Sequence, residues 1–237
     1  AVAVVLLEQV ARSTTCGHDL FWVREVLRRI ERGEVEGGVL EGTVEDAKRA
    51  AKWAADNVLS HLSAEKRAEL LALLQPWWRT ISAGSFEMGG DSPLGDAKPI
   101  HRVTFTSGFQ MLGVPVTWAM YRLFDPGHDA ARDTFGGKLP PEAQDEVPVY
   151  NVSWFASVMF AEWAGARLPL EPEWEYACRA GTKTRFWSGD TDKDLARVGW
   201  TNGAKWSDGG NAQGHPHPVA QKPNNAWGLH DVHGNVW

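Results

Sequence analysis

Apolar residues near the start of the chain recur at helical spacing. Leu20, Val23, Leu27 and Ile30 fall on one stripe, and Gly33 is a stop for the helix they predict. The Gly37-Gly38 pair and Gly42 mark a loop, after which Thr43 caps a second helix running through Asp46 to Leu62. Alanines at 47, 50, 51, 54 and 55 favour close helix packing. Ser63 looks like a third cap, ahead of Ala68, Leu71, Leu74 and Trp78, with Pro76 ending the regular helix. Residues 1–79 are therefore expected to form a small helical module, best understood as a packing or oligomerisation appendage.

Near Ile81 the pattern changes to short β-like runs separated by Gly, Pro, Asp and Asn. Val103 to Thr106 alternates as a half-buried strand should. The clearest helix follows Pro148: Ser153 is placed to cap it, Phe155, Val158, Met159 and Trp163 share an apolar face, and Gly165 stops it. Glu171 to Arg179 predicts another helix, because Pro172 suits a first turn and the carboxylates of Glu171, Glu173 and Glu175 suit the positive helix end. Those carboxylates do not converge at helical pitch, so they are structural and not an acid/base pair.

Composition narrows the function classes. The 237 residues are 43% hydrophobic and 23% charged, which is ordinary globular material for one large domain or two small ones. A net charge of −6 argues against a general nucleic-acid binder. The opening run from Ala1 to Leu7 is far short of the roughly 20 residues a bilayer span needs, so no membrane span is expected there. Two cysteines, Cys16 and Cys178, fall in segments of different texture and suggest no disulfide framework; a reducing, cytoplasmic compartment fits them best. Thirteen Trp against three Tyr suits a loop-rich fold in which indoles cover irregular backbone. Trp187, Trp200, Trp206 and Trp227 are candidates for an aromatic ligand surface, with a core role the simpler reading. His215 and His217 flank Pro216 and His230 and His233 are three apart, but neither cysteine lies at a spacing that completes a zinc site. P-loop, dinucleotide-binding, zincin and nucleophile-elbow motifs are not found.

The run from Gly165 to Gly181 (GARLPLEPEWEYACRAG), followed by Asn225 to Trp237 (NAWGLHDVHGNVW), resembles the signature of the formylglycine-generating enzyme, or sulfatase-modifying factor, family. The resemblance covers residues 80–237 and implies an α+β, loop-rich variant of the C-type lectin fold. By the same resemblance, Ile81 to Gly89 is a strand entering a glycine turn, and Phe109 to Thr117 is a strand leading into a helix at Trp118 to Phe124. Trp118 stands where the family commonly has Asn, and Leu170 where it has a capping Thr, a loss for which Glu171 is placed to compensate. Arg167 and Glu175 are the expected buried ion pair. The family's second signature continues past the position of Trp237 into a C-terminal portion, so the domain is expected to be incomplete as given, with the Gly234 to Trp237 strand lacking the strands it pairs with.

Family members bind calcium through loop oxygens. One such site maps onto Asp231 with the carbonyls of Gly234 and Val236, hard donors closing a turn. The other fares worse: in the loop from Ala196 to Val219, Arg197 falls where an Asn carbonyl ligand is expected and Asn211 where an Asp is expected. Arg197 is a candidate to substitute its own charge for that ion. Copper enters only with the family's oxidase activity, whose cysteines lie beyond Trp237; Cys178 is expected to be a buried thiol.

Because a scaffold does not transfer a reaction, three functions follow from the resemblance. The first is a module binding a protein or small-molecule ligand, like the variable proteins of diversity-generating retroelements. The second is a copper-dependent oxidase converting a cysteine of a sulfatase-like substrate to formylglycine. The third, a sulfoxide synthase of the ergothioneine type, needs a helical His cluster for iron, and the first eighty residues supply only His18 and His61.

Overall fold

A computed structural model describes residues 62–90, 98–128, 144–152, 154–201 and 210–236. The helices expected over 20–33 and 43–62, together with Cys16, Ser153, Trp206, Trp237 and the side chain of Phe155, lie outside the described residues.

Helix α1, Ala64–Leu74, begins at Ser63, whose Oγ accepts the Lys66 N–H at 3.2 Å. Its buried positions are Leu70 and Leu74, while Ala68 is exposed, so the apolar stripe is shifted from the expected one. Pro76 does end the regular helix, in a 3-10 turn over Gln75–Trp77. Trp78 is not the next helical position: it opens strand β1, Trp78–Ile81.

The run from Ile81 to Gly89 contains the end of one strand and all of another. Strand β1 pairs antiparallel with β4, Phe109–Leu112, setting Ile81 opposite Phe109. Strand β2, Gly84–Met88, pairs with β3, His101–Phe105, setting Gly84 opposite Phe105. The alternation seen at Val103 to Phe105 is reproduced, with Val103 and Phe105 turned inward and Thr104 exposed. Helix α2, Trp118–Phe124, has the bounds the resemblance implied. Helices α3, Trp154–Trp163, α4, Glu171–Arg179, and α5, Asp192–Val198, complete the described elements.

The chain divides into two compact units. One comprises Ala1–Leu70, Arg122–Asp129 and Val152–Leu168. Its described core sets the fully buried Phe124 against Phe160 and Trp163, with ring centroids 5.9 and 5.8 Å away. Arg67 Nε donates to Trp163 O at 2.7 Å at the end of α3, and Gly165, at φ +78°, stops that helix as expected.

The other unit comprises Leu71–Tyr121, Ala130–Asn151 and Pro169–Trp237. Its main core is built around Tyr176 of α4, with Ile81, Ala177 and Leu229 buried beside it. The Tyr176 ring lies 5.3 Å from Phe86, 4.9 Å from Phe105 and 4.7 Å from Trp227, tying the β2–β3 pair and the 225–232 loop to one helix, while Ile81 brings β1 into the same cluster. A second cluster buries Trp118 and Val147 against Val149 and Tyr150. Trp118 is therefore a core residue where the family commonly has a polar one. Among the described residues no helix is long and apolar enough to cross a membrane.

Candidate functional site

The loops following α4 carry the residues proposed for calcium, and α4 packs against them. Pro172 lies in its first turn, as the sequence predicts. Leu170 has no side-chain oxygen to offer as a cap, and the compensating residue is Glu173, not Glu171: Glu173 Oε2 accepts the Leu170 N–H at 2.8 Å. Glu175 also has a different partner from the one expected. Arg179, one turn further on, donates to Glu175 Oε1 from Nη2 at 2.7 Å and from Nε at 2.8 Å, and Gly89 N–H adds a third donor at 3.0 Å. Arg179 also reaches Gly89 O at 3.0 Å, so the pair clamps the end of β2 to α4. Arg167 Nη1 donates to Leu168 O.

At its other end, α4 stops with Ala180 at φ +46°, leaving terminal carbonyls to be satisfied from outside. Asn225, 2% exposed, does this: its Nδ2 donates to Ala177 O at 2.8 Å and Cys178 O at 3.1 Å. Its Oδ1 accepts the N–H groups of Trp227 at 3.0 Å and Leu229 at 3.1 Å, folding the second signature back on itself. No role for Asn225 was evident from sequence alone. The available signal was an Asn followed two and four residues later by backbone donors around a glycine, which is Asx-turn chemistry.

Beyond Leu229 the chain enters a tight loop with Asp231, Gly234 and Asn235 all at positive φ. It is not the expected strand: Gly234 to Val236 is irregular, and the Asn235 N–H bonds Trp200 O at 2.8 Å. Asp231 is 6% exposed. Its Oδ2 accepts the Ala220 N–H at 2.8 Å, whereas its Oδ1 is buried and makes no hydrogen bond to any described residue. Burial pushes this carboxyl above the usual carboxylate range; Ala220 N–H, His230, Asn235 and Lys222 act in the opposite direction. The Asn235 amide lacks hydrogen-bond geometry toward Asp231 and instead donates to His217 O at 3.0 Å. A buried carboxylate oxygen without a partner, in a loop of left-handed residues beside Gly234, fits a hard cation.

The loop after α5 is different. Asn211 turns its amide nitrogen toward backbone carbonyls, donating to Ala196 O at 2.8 Å and Gly199 O at 3.0 Å, while its Oδ1 accepts the Thr201 N–H at 2.9 Å. The ammonium of Lys222 also donates to Ala196 O. Arg197, the expected substitute charge, instead bonds Ser188 O at 3.1 Å and lies 3.8 Å from Asp194. These two carbonyls, already held by N–H donors, do not fit calcium.

His215, His217, His230 and His233 each engage backbone. His215 Nδ1 is 2.9 Å from Pro216 O, His217 Nε2 3.0 Å from Ala212 O and His230 Nδ1 2.8 Å from Lys222 O. His233 Nε2 accepts the Trp187 N–H at 3.1 Å, and burial holds its pKa down at about 4, so the ring is neutral. Its Nδ1 lies 3.9 Å from Cys178 Sγ, and the thiol is pushed up to about 12, chiefly by burial. Cys178 is thus a buried, inert thiol. It is expected to resist iodoacetamide at neutral pH in the native protein and to react on denaturation. Mass mapping of peptides, which separates Cys178 from Cys16, checks this; native labelling of Cys178 at the rate of a free thiol would refute it.

Of the four tryptophans proposed as a ligand surface, Trp227 packs on the Tyr176 core, while Trp200 stacks on His217 at 3.8 Å and 12°.

The fold is α+β and loop-rich, the C-type lectin type carried by formylglycine-generating enzymes. The family model described as sulfatase-modifying factor enzyme 1-like domain matches residues 75–237, and the chain belongs to that family. It is 40% identical over 94 residues to the formylglycine-generating enzyme of Mycobacterium tuberculosis, covering 38% of this chain and 31% of that one. It is 31% identical over 210 residues to the Mus musculus formylglycine-generating enzyme, covering 66% of this chain and 55% of that one. The chain thus spans about half, or less, of these relatives. Among solved structures, Treponema denticola variable protein 1 shares the fold with a TM-score of 0.53 at 21% identity, over 67% of this chain and 70% of that one.

Proposed function

We propose that this chain is a ligand- or protein-binding module on the formylglycine-generating-enzyme type of C-type lectin scaffold, comparable to a diversity-generating retroelement variable protein. The observation that carries this reading is the way its loops are fixed. Asn211, Asn225 and Asn235 each hold backbone groups of distant segments, which makes irregular chain a rigid frame for displaying a surface.

The identity to formylglycine-generating enzymes favours a second reading, a copper-dependent oxidase acting on a cysteine of a sulfatase-like substrate. Incubating the protein as isolated from its source cells with copper, dioxygen and a cysteine-containing sulfatase-type peptide separates the two. A peptide of unchanged mass is expected; conversion of its thiol to an aldehyde would replace the binding reading with the oxidase.

Calcium belongs to the proposal at one place. Asp231, with the carbonyls of Gly234 and Val236, would hold it, and the ion would supply the partner that Asp231 Oδ1 lacks. Calcium at about a hundredfold excess over its dissociation constant is expected to stabilise the protein by about 2.7 kcal/mol. Asp231→Asn should abolish that response while leaving the calcium-free protein as stable as before or slightly more so, because it removes a buried charge. Thermal melts with calcium and with a chelator provide the test, and an undiminished calcium response in Asp231→Asn would rule the site out.

A further inference from the structure

The carbonyl oxygens of Ala196 and Gly199 converge on donors that all come from this chain. Asn211 Nδ2 bridges the two oxygens, and the Lys222 ammonium, from a segment 26 residues further on, bonds the Ala196 oxygen from outside. The orientation of the Asn211 amide is fixed by its other end: Oδ1 receives the Thr201 N–H, so a flipped amide would set oxygen against two carbonyls and N–H against N–H.

Lys222 is held over the Trp200 ring, with Nζ 4.2 Å from its centroid. His217 stacks on Trp200, and His215 lies 4.5 Å from His217. The backbone of Lys222 is anchored as well, its carbonyl accepting from the His230 ring at 2.8 Å. The ammonium is therefore positioned by a ring, a carbonyl and its own backbone contact.

We propose that Lys222 is a built-in cation that, with Asn211, holds the Ala196 and Gly199 carbonyls at the place where the family resemblance expects a calcium ion, so that these carbonyls are fixed without metal. A calcium ion needs six to eight oxygen donors, preferably with carboxylates among them. Here the side chain at 211 presents nitrogen, a second nitrogen bonds the Ala196 oxygen, and both carbonyls are satisfied. The substitution of an ammonium for a divalent ion works because carbonyl dipoles attract either charge, and N–H donors supply the directionality that the metal would otherwise impose. The consequence is a division of labour: the Asp231 loop is proposed to respond to calcium, and the 196–201 segment tied to Asn211 and Lys222 to be indifferent to it.

The test is amide hydrogen exchange of peptides spanning 196–201 in the full chain, in chelator and in calcium. To remove the contribution of the other loop, it is run on Asp231→Asn as well as on wild type. Protection of the Thr201 amide, which Asn211 receives, is expected to be the same with and without calcium in both proteins. Lys222→Met should accelerate exchange in this segment about tenfold in either solution, and Lys222→Arg should restore most of the protection. Asn211→Asp/Lys222→Ser removes both nitrogens and supplies a carboxylate, and its protection should rise on adding calcium in the Asp231→Asn background. Calcium-dependent protection of 196–201 without those two substitutions, or protection unaltered by Lys222→Met, would overturn the proposal.

Discussion

Asn225→Ala is expected to lower stability by about 4 kcal/mol or more, a large part of the total for a domain of this kind. The side chain is 2% exposed and every hydrogen-bonding position on its amide is in use or adjacent to a partner: two donors to Ala177 O and Cys178 O, two acceptances from Trp227 and Leu229 N–H. Truncation leaves four backbone groups without that partner in a place with little room for water, and each such group costs about 1–3 kcal/mol, less than additively when neighbours relax together. Asn225→Asp discriminates between the two halves of the network. It keeps the acceptances but sets a carboxylate against the two helix-end carbonyls, so its carboxyl should be raised in the folded state. A carboxyl raised on folding favours the folded state once protonated, so this variant should regain stability as pH falls, whereas Asn225→Ala should not. Urea unfolding of both variants across acidic pH checks this; parallel behaviour would mean that the donors to Ala177 and Cys178 contribute little.

The same residue shows what the sequence does and does not disclose. Helix α4 was legible because its determinants are local: Pro172 in the first turn and carboxylates at the start. Helix α2 was legible only through resemblance to a family, since its pattern is short. The strand order β1–β4 and β2–β3 was not legible, because a break of two residues after Ile81 sends adjacent segments to different partners and nothing local encodes that choice.

The site follows the same division. Asp231, Gly234 and Val236 come from the family resemblance, and the structure adds that Asp231 Oδ1 is buried without a hydrogen-bond partner among the described residues. Arg197 was a reasonable candidate for a substitute cation, being in the right loop, but Lys222 occupies that role from 26 positions away. Glu175 was correctly marked as an ion-pair residue, yet its partner is Arg179 at helical spacing. In each case residue chemistry was readable and the long-range partner was not, because the partner is chosen by how loops pack and not by periodicity.

Gly199→Ala and Gly234→Ala are the substitutions that should most directly disrupt this loop packing, each costing at least about 3 kcal/mol. A methyl group on Gly199 would stand 2.0 Å from His233 O, and one on Gly234 would stand 2.2 Å from Trp200 O. Both obstacles are backbone, so a side-chain rotation cannot relieve them. The contacts are reciprocal, with segment 199–200 pressed against 233–235 and the Asn235 N–H bonded to Trp200 O between them. Separating the segments to admit a methyl would therefore stretch that bond and disturb the Asn235 exchange with His217, in which Asn235 Oδ1 accepts the His217 N–H at 2.8 Å. Gly234 carries a second penalty, because φ +106° is unfavourable for any residue with a Cβ. Gly181→Ala is the control: it has positive φ, +88°, but open space around it, so it should cost only about 1 kcal/mol. Denaturant unfolding of the three variants separates steric approach from backbone conformation. If Gly199→Ala proved no more costly than Gly181→Ala, the close approach of the two loops, and with it the rigid frame proposed for binding, would have to be abandoned.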